Sequence, residues 1–394
     1  MLQSNPTEVS LMSEIITRFQ TVRSKTETLC QLFSSDDHML QADVFVSPPK
    51  WHLAHTTWFF EEMILKPNFS GYTEFDNKFP KLFNSYYETI GKRISRDKRH
   101  LISRPSLEEV QAYRSFVNEA MIKMLELNVN IEVAQLVELG LQHEQQHQEL
   151  LVTDLKYSLF QNPTYPAVTS QINIEKHQNQ SNGWLKVEEG IFEIGYRGDC
   201  FCFDNELNPH RVFLEPFEIQ AGLVTNGEFK EFVEDGGYEK FQFWHDEGWA
   251  WVKQNRLSHP LYWVNQNDSW HQYSYNGLQP IQDSDILTHV SFFEAAAFAQ
   301  WKGLRLPTEF EWEATSHLFD WGKRWEWTNS AYLAYPGFKT SEGAVGEYNG
   351  KFMINQMVLR GASAATAEGH SRNTYRNFFP TDARWQCTGI RLAK

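Results

Sequence analysis

Residues 143–147 read His-Glu-Gln-Gln-His, the H-E-x-x-H pattern of zinc proteases. On a helix, positions i and i+4 share a face, so His143 and His147 can hold one metal ion. The protease reading also needs a third ligand, often the histidine of an extended H-E-x-x-H-x-x-G-x-x-H form. Here the chain continues Gln-Glu-Leu-Leu-Val-Thr, with neither that glycine nor that histidine. Glu149 and Asp154 lie downstream, but neither is convincingly placed as a ligand. A facing helix of a bundle can supply the missing ligand instead. WHLAHTTW, residues 51–58, offers His52 and His55 among bulky apolar neighbours. Three neutral imidazoles suit zinc, iron(II) or copper, and the ligands alone do not choose. The plain alternative is a pair of helix histidines making ordinary hydrogen bonds. An apolar-rich helix, a second histidine motif and a long loop able to cover the site weigh for the metal.

The elements that must position these residues fall in the first 160 positions, where the helical period dominates. EVSLMSEIITRFQTVRSKTETLCQLF has apolar residues at three- and four-residue spacing. Ser47-Pro48 reads as an N-cap and first turn ahead of PKWHLAHTTWFFEEMIL. Ser106 and Glu109 form a capping box opening SLEEVQAYRSFVNEAMIKMLEL. The fourth helix is IEVAQLVELGLQHEQQHQELLVTDLKYSLF, which carries the motif. Four such helices predict a four-helix bundle over residues 1–161. The connection from about 66 to 104 is long enough to be functional. Residues 162–182, polar and rich in Pro, Asn and Gln, read as a linker. From 183 to 394 short β-like segments such as WLKVEEGIFEIGY alternate with helical candidates near 225–235 and 291–302. This half is expected to be α+β with much irregular structure, packed around many of the 14 tryptophans.

Bulk properties narrow the function classes. Hydrophobic residues at 41% and charged residues at 22% are ordinary for a soluble globular protein. A net charge of −14 argues against nucleic acid as a partner. No apolar run approaches a membrane span, and the N-terminus lacks the basic start and apolar core of a signal peptide. Four cysteines make no disulfide framework, so a cytoplasmic protein with reduced thiols is expected.

The ordered set of motifs is more specific than any one of them. WHLAHTTWFFE, FNSYYETIG, LISRPSLEEV and HEQQHQEL are followed by FDNELNPHRV, VTNGEF, RLPTEFEWE, WEWTNS, YPGF, VLRGAS and TYRNFFPTDARWQCTGIRLA. Across nearly its whole length the chain resembles the sulfoxide synthases of ergothioneine biosynthesis. In that family a DinB-like helical bundle is fused to a C-type-lectin/formylglycine-generating-enzyme-like α+β domain.

The resemblance implies a non-haem Fe(II) centre held by His55, His143 and His147, with O2 as co-substrate. It implies joining of a thiol to the imidazole ring of hercynine, with oxidation of the sulfur. Tyr86 or Tyr87, in SYYE, would be the active-site acid. Arg96 and Arg99, in the basic stretch GKRISRDKRHLISR, match arginines that hold the thiol substrate, and a guanidinium fork suits its carboxylate. Gln146 and Asn377 would touch the betaine end of hercynine, with Phe378 as an aromatic neighbour for the quaternary ammonium. Members using γ-glutamylcysteine carry Arg-Asn-Trp-Asp where this chain has Arg376-Asn377-Phe378-Phe379. Phe379 cannot bind an ammonium as a carboxylate does, which favours free L-cysteine as donor. Within the same chemistry a selenium sugar or unmethylated histidine are further substrates to consider. A different class, a metal-dependent thiol S-transferase, also uses DinB-like bundles with three histidines. The oxidase-like domain need not share copper chemistry: Cys387 has no matching partner, and the four cysteines read as buried small hydrophobes.

Overall fold

Every residue of the helix Pro49–Phe60 is buried, including two histidines, two threonines and a lysine. A helix apolar all round belongs in a core. One that also carries polar side chains must find each of them a partner there. The computed structural model describes residues 6–85, 94–127, 129–178, 181–340 and 349–394. It divides into two compact units, Met1–Pro163 and Thr164–Lys394. The division falls inside the segment read from sequence as a linker.

The first unit contains α1 (Pro6–Cys30), α2 (Pro49–Phe60), α3 (Lys66–Asn68), α4 (Phe79–Phe83), α5 (Leu107–Glu126) and α6 (Ile131–Phe160). A π turn, Glu61–Leu65, joins α2 to α3. α2 packs against α5 and α6, and α1 packs against the same two helices. α6 is buried along most of its length, from Val133 to Leu159. Close approach of α2 and α6 depends on Gly140: a Cβ there would meet Phe60 Cε1 at 2.8 Å.

Local signals fix the helix ends. The Ser106–Glu109 capping box closes in both directions, at 2.7 and 3.2 Å. Asn130 caps α6 by accepting from the Val133 N–H at 2.9 Å. At α2 the expected serine cap is not used: Pro48 is the N-cap residue and Pro49 opens the helix. The Ser47 hydroxyl instead accepts from Arg99 at 2.8 Å. Two consecutive prolines supply the φ that a first turn needs, so the hydroxyl can serve elsewhere.

The second unit is built from small sheets and short helices. Strands β1 (Trp184–Val187), β2 (Gly190–Ile194), β3 (His210–Leu214) and β4 (Phe217–Gln220) form two antiparallel pairs, β1 with β4 and β2 with β3. After α7 (Asn226–Glu234) and α8 (Asp246–Asn255) comes the antiparallel meander β5 (Trp263–Gln266), β6 (Ser269–Ser274) and β7 (Gly277–Pro280). Helices α9 (Phe292–Trp301) and α10 (Glu309–Thr315) precede β8 (Arg324–Ala331), β9 (Met357–Ala362), β10 (Asn377–Phe379) and β11 (Thr388–Gly389). These four strands form one sheet in the order β10-β9-β8-β11, with β11 parallel to β8. Thr225, Ser291 and Thr308 each close a capping box at a helix start. The third of these, in RLPTEFE, marks α10, which apolar periodicity alone misses because the helix has only seven residues.

Residues 164–178 are tied into the second unit. The Val168 and Thr169 N–H groups donate to the Tyr275 carbonyl, at 2.8 and 3.0 Å. Fully buried Arg324 donates to the carbonyls of Ile174, Glu175, Ile286 and Leu287. One guanidinium thus satisfies carbonyls from two irregular segments.

Buried ion pairs connect the sequence motifs of this unit. Arg376 of YRNFF forms a two-pronged pair with Glu309 of RLPTE, at 2.8 and 3.0 Å. Arg391 of GIRLA pairs with Glu326 of WEWTNS, which also accepts from the Trp312 indole at 2.7 Å. Arg360 of VLRGAS pairs with Glu313, and Arg372 pairs with Glu206 of FDNEL. These conspicuous charges hold irregular backbone together. A buried carboxylate or guanidinium is tolerated only when so paired.

Candidate metal centre

Three imidazoles converge in the first unit. One ring nitrogen from each of His55, His143 and His147 lies within 4.8 Å of the others. Nitrogens this close together can hold one ion between them. α2 supplies His55, and α6 supplies His143 and His147 from successive turns of one face. Among the described residues no carboxylate joins this group.

Surrounding rings fix the imidazoles in place. Trp51 and Trp58 both stack on His55, with centroids 4.5 and 5.5 Å away. Phe59 packs 4.9 Å from His143. His55 and His143 are closed off from solvent, while His147, 9% exposed, is the least enclosed. Burial pushes the His143 imidazole down to about 4 and takes His55 and His147 well below their ordinary value, with each histidine's neighbouring imidazoles adding to the effect. All three are therefore neutral near pH 7, the form that ligates a metal.

The hydrogen bonds of His55 test the fit to a metal. Its Nδ1 lies 2.6 Å from the Phe83 carbonyl, which can only accept. Nδ1 thus carries the proton, and Nε2 presents a lone pair. That Nε2 is buried and has no hydrogen-bond partner among the described residues. A buried polar atom without a partner costs about 1–3 kcal/mol, and a metal ion would remove that cost. A set of three neutral nitrogen donors fits a divalent transition ion.

Glu144 settles the protease question. It is fully buried, and side chains of α1 and α5 hydrogen-bond to it. Its carboxylate accepts from Arg23 at 2.8 Å, from Thr26 at 2.6 Å and from Arg114. Burial alone would raise its pKa, but Arg114 and Arg23 outweigh that and hold the carboxyl down at about 2. So weak a base, fixed by two guanidiniums, cannot activate water as the glutamate of a zinc protease does.

Behind His147 lies a polar chain that the sequence only hinted at. His52 Nδ1 is 2.8 Å from His147 Nδ1, and His52 Nε2 is 3.3 Å from Asp154 Oδ2. The Ser47 N–H also donates to Asp154 Oδ2, at 2.9 Å. Asp154 is thus a partner of His52 rather than a ligand. Its spacing from His147, two helical turns on, was the available signal.

Comparison with known proteins adds to this geometry. Residues 170–324 match the family model described as a sulfatase-modifying factor enzyme 1-like domain. That match lies inside the second unit. The chain is also similar to hercynine oxygenases along nearly its whole length. The hercynine oxygenase of Mycolicibacterium smegmatis is 27% identical, over 94% of this chain and 96% of its own. That of Mycobacterium tuberculosis is 27% identical with the same coverage. The formylglycine-generating enzyme of Streptomyces coelicolor is 29% identical over 41% of this chain and 55% of its own.

The other residues singled out from sequence are distributed as follows. Tyr86 and Tyr87 lie outside the described residues. Arg96 is exposed, and its carbonyl accepts from Gln41 at 2.8 Å. Arg99 is buried: it donates to Ser47 and Ser85 and lies 3.3 Å over the ring of Trp51, the same tryptophan that stacks on His55. Gln146 is half-buried on α6, between the two ligand positions. In the second unit Asn377 opens β10, and its Oδ1 accepts from the Phe378 N–H at 2.9 Å. Phe378 stacks on Tyr332 with centroids 4.1 Å apart, and Phe379 meets Trp385 edge-on. Cys30 and Cys387 are buried as expected, but Cys200 is exposed and Cys202 half-exposed, in an irregular segment rather than a strand.

Proposed function

We propose that this chain is an Fe(II)- and O2-dependent sulfoxide synthase that joins L-cysteine to the imidazole carbon of hercynine, giving hercynylcysteine sulfoxide. The observation that carries the proposal is the buried cluster of His55, His143 and His147, which no carboxylate joins among the described residues, in a chain similar to hercynine oxygenases over 94% of its length. On this reading the first unit is a DinB-like four-helix bundle and the second a formylglycine-generating-enzyme-like domain.

His55, His143 and His147 would hold the iron. Bound iron would supply O2 activation and a Lewis acid that favours the thiolate form of the cysteine substrate. The chain's own groups bind and orient. Arg99, rigid against Trp51 and the two serines, sets a fixed positive charge for the carboxylate of the thiol substrate. Arg96 adds a second, exposed charge. Gln146 projects from the ligand helix and is assigned to hercynine. Tyr86 or Tyr87 is assigned the proton delivery. The side chain of Phe379 offers no carboxylate for a glutamyl ammonium, so L-cysteine is taken as the donor over γ-glutamylcysteine.

The test is O2 consumption by anaerobically purified, Fe(II)-loaded protein given hercynine and L-cysteine, with mass analysis of the product. The expected species equals both substrates joined, plus one oxygen and minus two hydrogens. No O2 uptake with hercynine and either thiol would refute the proposal.

A further inference from the structure

The Phe83 carbonyl fixes which nitrogen of His55 faces the other ligands. Among the described residues no carbonyl takes that role for His147. Its Nδ1 faces another imidazole, that of His52. Which of two facing nitrogens donates depends on what holds the far side of His52. There the Asp154 carboxylate, fully buried and also accepting from the Ser47 N–H, can only accept. His52 Nε2 must therefore donate. A neutral imidazole has one N–H, so His52 Nδ1 is left as an acceptor, and His147 Nδ1 must donate to it. That leaves the lone pair of His147 on Nε2.

We propose that His52 and Asp154 are positioning residues for the metal: a one-way hydrogen-bond chain, His147 to His52 to Asp154, locks His147 in the tautomer and ring orientation that ligates through Nε2. The geometry supports no other direction of donation while His52 is neutral. The chain also explains why α2 buries a second histidine one turn before its ligand, and why α6 buries an aspartate two turns after its own. Outer partners of this kind raise ligand basicity and remove the entropy of ring rotation, and their loss typically costs ten- to a hundredfold in metal affinity. The proposal needs a metal at the three histidines but not a particular substrate.

The experiment measures metal affinity of the full-length protein, by anaerobic competition of Fe(II) or Co(II) against a chromogenic chelator. His52→Leu fills the space but removes the acceptor. His52→Asn leaves a gap but keeps an oxygen where Nδ1 was. The chain predicts that His52→Leu weakens binding about ten- to a hundredfold, that His52→Asn weakens it less, and that the Co(II) ligand-field spectrum shifts in the leucine variant. A packing role predicts the reverse order, because leucine is the better filler. Asp154→Asn, which keeps an acceptor but loses the charge, should fall between wild type and His52→Leu and covers the case in which the latter does not fold. Equal affinities across the series, or asparagine binding more weakly than leucine at position 52, would overturn the proposal. Wild type that binds no stoichiometric metal would overturn both this chain and the proposed function. Metal binding that follows the predicted order without O2 uptake on hercynine would leave the chain standing and remove only the function.

Discussion

Replacing Glu144 with glutamine separates two roles that one sequence position could play. In the structure this carboxylate is the buried counter-charge to Arg23 and Arg114 and touches Thr26 as well. The guanidiniums hold its pKa at about 2, against an ordinary 4.5. At about 1.4 kcal/mol per pH unit this difference is worth about 3 kcal/mol. Glutamine keeps the shape but leaves two buried guanidiniums without their counter-charge, a change that typically costs about 3–5 kcal/mol. Glu144→Gln should therefore lose about 3 kcal/mol of stability near pH 7. Because the folded value is the lower one, this stabilisation is present above pH 4.5 and is lost as the pH falls toward 2. The variant should therefore also show a flatter acid limb. Urea unfolding gives the magnitude, and hydrogen exchange in α1, α5 and α6 locates it, since those helices meet at the cluster. A variant within about 1 kcal/mol of wild type would refute the reasoning. If that variant also kept its metal and lost all turnover, Glu144 would be a catalytic base after all.

Two further outcomes follow from the same geometry. Gly140→Ala sets a Cβ 2.8 Å from Phe60 and 3.0 Å from Phe59, the ring that packs on His143. Overpacking of about 1–3 kcal/mol should outweigh the gain of about 1 kcal/mol in helix propensity, so the melting temperature should fall and the Co(II) spectrum should change; a higher melting temperature would count against the close helix contact. In the second unit, burial with Arg372 nearby holds His370 down at about 3, from an ordinary 6.5. As the pH falls below 6.5 the unfolded chain takes up a proton that the folded one refuses, so stability drops by up to about 1.4 kcal/mol per pH unit; His370→Gln should remove that part of the slope between pH 7 and 5, and unchanged urea midpoints across that range would refute it.

Much of the metal centre was legible because helical spacing is a local property. His143 and His147 share a face by arithmetic, and WHLAHTTW carried its own histidines on a helix opened by two prolines. The resemblance singled out His55 over His52, a distinction that helical spacing alone does not make. His55 joins His143 and His147, whereas His52 lies between His147 and Asp154, and the packing of α2 against α6 sets that difference. The same holds for Glu144. Its place inside H-E-x-x-H suggests a base, but Arg23 and Arg114, far away in the chain, decide that it is a buried counter-charge. The second half was read less well. Helices α7 and α9 fall where candidates were expected near 225–235 and 291–302, but α8 and α10 were not read, and the order of this half depends on long-range pairs such as Arg376 with Glu309 and Arg324 with the carbonyls of residues 174 and 175.

By itself, then, the sequence determined the helical first half, the i, i+4 histidine pair, the Ser106–Glu109 capping box and the acidic charge balance, because each is read from composition or from residues a few positions apart. Only the tertiary structure decided that His55 meets His143 and His147 while His52 lies against Asp154, and which charges cancel. Those properties belong to pairs of side chains that meet only when distant helices pack and water is excluded from between them.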